Sequence, residues 1–144
     1  MAFRGTFDYS LDAKNRLTVP AKFRASLSDG VVLAKSTERC VAVWTPEGFE
    51  AYTREALKDF HPLSREADKL NRYFSANSID AELDSAGRVG IPSFLLEHAG
   101  LAKEVVVTGV GDRLEVWDRG AWARYNDALA GDIADITSAL GHAG

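Results

Sequence analysis

Apolar residues recur along the chain at two spacings, every second residue in short stretches and every third or fourth in longer ones. Residues 6–11 and 16–19 alternate as strands, with residues 12–15 as a tight turn between them. Residues 31–35 and 40–44 form a hairpin rich in β-branched side chains, and residues 104–108 and 113–117 form another. Pro20 and Pro92 each stop a strand and can open a short helix at its first turn. Helical spacing takes over at Phe49, Tyr52, Ala56 and Phe60, behind Thr45 as N-cap and Pro46 in the first helical position. A second helix is expected from Ser64 to Ser75, with Ala67, Leu70 and Phe74 inward. Asp118 caps a last helix, in which Trp122, Tyr125, Leu129, Ile133, Ile136 and Leu140 share one face to the end of the chain, with Gly131 a candidate kink.

These elements come twice. Leu11-Asp12-Ala13-Lys14-Asn15-Arg16-Leu17-Thr18-Val19-Pro20 matches Leu83-Asp84-Ser85-Ala86-Gly87-Arg88-Val89-Gly90-Ile91-Pro92 at an offset of 72, from Asp12 to Asp84 and from Arg16 to Arg88. Downstream the offset becomes 73. Val32-Leu33-Ala34 then faces Val105-Val106-Val107, Trp44 faces Trp117, and Phe49 and Tyr52 face Trp122 and Tyr125. Length, order and spacing together identify an internal duplication, with one repeat and a helical extension over 1–76 and the other over 77–144. Asn15 and Gly87 share a turn position, and both residue types tolerate a positive φ. Four short strands per repeat are too few for a stable isolated sheet. The expectation is therefore a mainly β fold with flanking helices: one barrel of about eight strands, its two tandem repeats related by a pseudo-twofold axis.

Composition narrows the function. The chain has 144 residues, 46% of them apolar, which is ordinary for a soluble protein. No apolar run approaches the roughly 20 residues of a membrane span, and the N-terminus has no stretch of signal-peptide character. Cys40 is the only cysteine, so no internal disulfide can form, and a cytoplasmic location is the default expectation. The net charge of −4 weighs against nucleic-acid binding taken alone, but it is unevenly spread. Residues 1–24 hold Arg4, Lys14, Arg16, Lys22 and Arg24 against Asp8 and Asp12, so one basic end can steer an anion.

Little other chemistry stands out. His61, His98 and His142 lack the spacing of a zinc site, and no metal or cofactor is expected. Cys40 reads as a small residue at a strand start, and Gly109-Val110-Gly111 as the turn of the second hairpin rather than a phosphate loop. Glu66, Asp68, Lys69 and Arg72 read as a solvated helix face. The aromatic pairs Phe49–Tyr52 and Trp122–Tyr125 are core packing or a stripe that docks on a neighbouring subunit, and the 132–144 tail is open to the same two readings.

What remains is the pair of Asp-x-x-x-Arg turns. Structurally, Asp12 caps its turn and Arg16 pairs with it. Functionally, the turns carry Arg16 and Arg88 to phosphates or base edges, both of which suit bidentate guanidinium contacts. The readings are compatible if each Asp holds its Arg in place. Lys14, Lys22 and Arg24 give the first copy a surplus of positive charge that the second lacks.

In these motifs, and in Phe3-Arg4-Gly5 and Ala21-Lys22-Phe23-Arg24, the sequence resembles the MraZ family over almost its whole length. The resemblance implies a fused pair of AbrB-type swapped-hairpin units forming a double-psi-like barrel. It implies a ring-shaped homo-oligomer, an octamer or a dodecamer, associated with the nucleoid. It further implies sequence-specific binding of double-stranded DNA at repeats upstream of the protein's own gene, and regulation of the division and cell-wall gene cluster there. Asp12, Lys14 and Arg16 match the first family motif, and Asp84 and Arg88 the second. Arg4, Lys22 and Arg24 are the other cations expected at DNA, while Asn15 and Gly87 support the loops. Asn15 departs from the more usual Gly, and position 86 lacks a Lys. Two competing classes are a ring-forming scaffold without a DNA role and a small barrel enzyme, the latter disfavoured because no His, Cys or carboxylate constellation is present.

Overall fold

The computed structural model describes residues 2–143, with side chains through residue 141; Met1, Gly144 and the side chains of His142 and Ala143 lie outside the described residues. Two series of elements follow the same order. The first is β1 (Phe3–Ser10), β2 (Arg16–Thr18), α1 (Ala21–Arg24), β3 (Val31–Lys35), β4 (Val41–Trp44) and α2 (Pro46–Leu57). After an additional helix α3 (Arg65–Ala76) come β5 (Ser78–Ala81), β6 (Arg88–Gly90), α4 (Ser93–Ala99), β7 (Glu104–Gly111), β8 (Leu114–Asp118) and α5 (Arg119–Ala143). The fold is mainly β with flanking helices, as the alternating pattern indicates.

The strands form a six-stranded sheet, ordered β1-β7-β8-β4-β3-β5, and a two-stranded ribbon, β2-β6. The halves exchange strands: β1 pairs with β7 of the second half, and β5 with β3 of the first. Each half keeps its own hairpin, β3–β4 or β7–β8, and that hairpin takes an edge strand from the other half. The two pairings that join like elements place a pseudo-twofold axis. Ala42 lies across from Glu115 at the centre of β4–β8, and Leu17 across from Val89 at the centre of β2–β6. The core fills the space between sheet and ribbon, with Leu17, Val89, Leu33, Val43, Val107, Val116 and Leu114 buried together.

The register corrects the sequence alignment in one place. Val32 and Val106 each pair with the hairpin tryptophan of their own half, Trp44 and Trp117. Val32-Leu33-Ala34 therefore corresponds to Val106-Val107-Thr108, at offset 74 rather than 73. Strand side chains alternate between faces, so a slip of one residue would have put Leu33 against an outward residue. Leu33 and Val107 are in fact both fully buried. A run of three valines, Val105 to Val107, hides this register because each position is equally apolar.

Other boundaries move for local reasons. Gly109 is not in the hairpin turn but inside β7, opposite Gly5, and the turn falls at Asp112-Arg113, where the Val110 amide donates to the Arg113 carbonyl at 3.0 Å. A Cβ on Gly109 would run into the backbone of Phe3 and Arg4, so this glycine permits the close approach of β1. Pro20 and Pro92 stand at the N-caps of α1 and α4, one position before the expected one, in extended conformation. Phe60 lies beyond the end of α2 and is exposed.

Helix α2 and the start of α5 cover the outer face of the sheet, while α1 and α4 bury Phe23, Leu95 and Ala99 in the inner core. Thr45 caps α2 by accepting from the Gly48 amide at 2.9 Å, Ser64 caps α3 from Ala67 at 3.1 Å, and Asp118 accepts from Ala121 at 3.1 Å at the start of α5. The aromatic pairs pack within the chain and repeat. Trp44 meets Phe49 at 5.9 Å and Tyr52 at 4.7 Å, while Trp117 meets Trp122 at 5.5 Å and Tyr125 at 4.7 Å. Arg119 fastens the start of α5, donating to the Tyr9 carbonyl at 2.8 Å and pairing with Glu104 at 2.8 Å. Beyond Leu129, α5 continues through Gly131 as one helix with its side chains exposed, Ile133, Ile136 and Leu140 among them. No described helix is long and apolar enough to cross a membrane.

Candidate nucleic-acid interface

The two Asp-x-x-x-Arg turns are the same object built twice. In the first, the Asn15 amide donates to the Asp12 carbonyl at 2.9 Å and the Asp12 amide to the Arg16 carbonyl at 3.1 Å; in the second, Gly87 donates to Asp84 at 2.9 Å and Asp84 to Arg88 at 2.9 Å. The Asp12 carboxylate accepts from the amides of Lys14 and Arg16, both at 2.9 Å, and from Arg16 Nε at 2.6 Å. Asp84 accepts from Ala86, Arg88 and Arg88 Nε, each at 2.9 Å. Asn15 has φ of 57° and Gly87 of 76°, the left-handed conformation that the shared turn position requires.

The Arg16 amide, and beside it the Arg16 guanidinium and the Lys14 amide, hold the Asp12 carboxyl below its ordinary range. The amide of Arg88, with its guanidinium and the Ala86 amide, does the same for Asp84. Each carboxylate thus stays ionised and grips its arginine through Nε. Among the described residues, no hydrogen bond or ion pair engages the terminal guanidinium nitrogens of Arg16 or Arg88. Those nitrogens are the pair that can make a bidentate contact.

The ribbon aims both arginines outward. Leu17 and Val89 point into the core, so their neighbours Arg16, Thr18, Arg88 and Gly90 share the opposite face. Arg16 stands across from Gly90 and Arg88 across from Thr18, with open space where a Gly90 side chain would be. The turns flank this face at opposite ends of the ribbon, where the Ile91 amide bonds to the Asn15 carbonyl and the Val19 amide to the Gly87 carbonyl. A two-stranded antiparallel ribbon with outward arginines fits the width of a DNA major groove.

The model of the family described as "MraZ protein, putative antitoxin-like" matches residues 2–70 and 74–139. The chain belongs to the MraZ family. Among its relatives are proteins named Transcriptional regulator MraZ from Alkaliphilus metalliredigens, 38% identical over 87% of each chain, and from Kocuria rhizophila, 42% identical over 85% of each chain. A third, from Cutibacterium acnes, is 40% identical over 93% of this chain and 94% of its own.

Within this MraZ chain the remaining cations are dispersed. Lys14 is exposed on the first turn beside Arg16. Lys22 is exposed on α1, with Nζ 5.2 Å from the centre of the Phe7 ring and 5.0 Å from that of Phe23. Arg4 is exposed on β1, next to Phe3, whose ring packs against that of Phe23 on α1 at 5.3 Å. Arg24 reaches the second turn, not the first: its Nε donates to the Val19 carbonyl at 3.0 Å, and its side chain lies against Gly87. Linear charge counting assigns Arg24 to the first copy, because nothing in the sequence shows that α1 ends beside the opposite turn. Thr18 and Gly90, which complete the ribbon face, carry no signal of their own beyond strand alternation.

Proposed function

We propose that this protein is a sequence-specific DNA-binding transcription regulator rather than an enzyme. Its relatives carry the name of transcriptional regulators, and the reading rests on one observation: two arginines, each braced through Nε by an ionised aspartate, project from the same face of a ribbon, one at each end, with their outer nitrogens unengaged among the described residues. Bracing lowers the conformational freedom lost on binding, so the guanidinium groups meet phosphate or guanine edges already oriented. Asp12, Asn15, Asp84 and Gly87 hold the loops; Arg16 with Lys14 makes the main contact and Arg88 the second, with Lys22 and Arg4 as peripheral cations. The target is double-stranded DNA carrying repeats upstream of the protein's own gene, at the division and cell-wall gene cluster, in the cytoplasm at the nucleoid.

One ribbon makes few contacts, and repetition around a closed homo-oligomer multiplies them through effective concentration. The apolar seam Leu129, Ile133, Ile136 and Leu140 supports assembly, since three of these residues stand exposed on a helix that has left the body of the fold. A ring of eight or twelve subunits is the form proposed from the family resemblance. The test is binding of the native protein to its upstream DNA and to unrelated DNA of equal length at two salt concentrations, with the particle mass measured on the same sample. Preference for the upstream DNA and a steep loss with salt support the reading. A ring that binds neither DNA leaves the scaffold alternative standing.

A further inference from the structure

We propose that Arg24 is the phosphate-contacting cation of the second turn, so that this turn is a composite site built from both halves of the chain. The inference rests on the DNA-binding reading and assigns a specific charge within it. The turns differ in their own sequence: Lys14 in the first is replaced by Ala86 in the second. Taken as isolated segments, Asp12, Lys14 and Arg16 sum to one positive charge, and Asp84 and Arg88 to none.

The fold restores the balance from outside the turn. Phe23 and Leu95 are buried equivalents on α1 and α4, at offset 72, and the next position is Arg24 in one helix and Leu96 in the other. The Arg24 side chain crosses to the second turn and lies on Gly87. A Cβ there would overlap Nε and fall 2.7 Å from Cδ and 2.8 Å from Cζ, so a glycine leaves the space that the guanidinium occupies. The Nε bond to the Val19 carbonyl fixes the group in that place. Among the described residues no carboxylate pairs with Arg24, and its terminal nitrogens are unengaged. An unneutralised guanidinium beside Arg88, at the end of an outward arginine ribbon, is placed for a phosphate oxygen.

The two ends of the ribbon consequently differ. Lys14 is a flexible ammonium at a turn tip, and Arg24 is an anchored guanidinium. Its contribution is to affinity on any sequence, since phosphates carry no base information.

The test compares full-length Arg24→Met, which keeps an apolar stem, with Arg24→Lys, which keeps the charge, on upstream and unrelated DNA over a salt series, with Arg16→Ala as reference. Arg24→Met is expected to weaken both DNAs roughly threefold to tenfold and to lower the salt slope by about one per engaged subunit, while Arg24→Lys keeps the slope. The loss from Arg24→Met should be smaller in an Arg88→Ala background and unchanged in an Arg16→Ala background. Equal losses for Met and Lys in proportion to lowered melting temperature would make Arg24 a brace for the turn and overturn the proposal. Wild-type binding by Arg24→Met, with Arg16→Ala impaired, overturns it as well. If Arg16→Ala also binds as wild type, the DNA-binding reading itself fails.

Discussion

Leu17 stands directly across from Val89 where β2 meets β6, and both are buried against the inner face of the six-stranded sheet. Their packing in the common core seats the ribbon on the sheet and decides which ribbon face is outward. Packing in the core and presentation of the arginines are therefore one arrangement. Leu17→Ala removes a fully buried side chain, and a loss of about 2–5 kcal/mol is expected by chemical denaturation. Affinity for upstream DNA should fall even at temperatures where the variant stays folded, because the ribbon loses its seat. Unchanged affinity in folded Leu17→Ala would show that the ribbon's seating is irrelevant to binding.

Two glycines make a matched pair. Gly109→Ala forces a methyl into the backbone of Phe3 and Arg4, which cannot rotate aside, and should cost about 1–3 kcal/mol through separation of β1 from β7. Gly90→Ala meets open space and should change stability by no more than about 0.5 kcal/mol. Thermal melting of both variants side by side checks this, and comparable losses would contradict the close approach at Gly109.

Acid should loosen both turns together. Asp12 and Asp84 titrate below the ordinary carboxyl value of 3.8 in the folded chain. A depressed folded value means that the stabilisation is present above the unfolded value and is lost as pH falls through the folded one. Melting temperature should hold down to about pH 4 and then decline. In an Asp12→Asn, Asp84→Asn variant the decline should be shallower, since neither side chain titrates. An identical acid slope in variant and wild type would place the titrating groups elsewhere.

The parts of this fold that were legible in the sequence are those marked by side-chain chemistry. Asp12 with Arg16 and Asp84 with Arg88 announce the turns and the duplication, and Thr45, Ser64 and Asp118 announce helix starts that the capping bonds bear out. The register of β7 was hidden because Val105, Val106 and Val107 look alike, and alternation cannot be read from a uniform run. Gly109 reads as a turn in the sequence because a glycine that admits a neighbouring backbone looks the same as one that turns the chain. The strand exchange and the position of Arg24 depend on contacts between halves. Local pattern carries no information about which copy's partner a residue meets.

In the proposed function Arg16, held by Asp12, touches DNA rather than merely bracing its own turn. Melting temperature, particle mass and upstream-DNA affinity measured on one sample of Arg16→Ala separate the two roles. If Arg16 reads a base edge, a folded and correctly assembled variant should lose about 1–3 kcal/mol of binding per engaged subunit and discriminate less at one base pair. Full affinity and unchanged discrimination in that same folded, assembled sample would show that Arg16 only braces its turn.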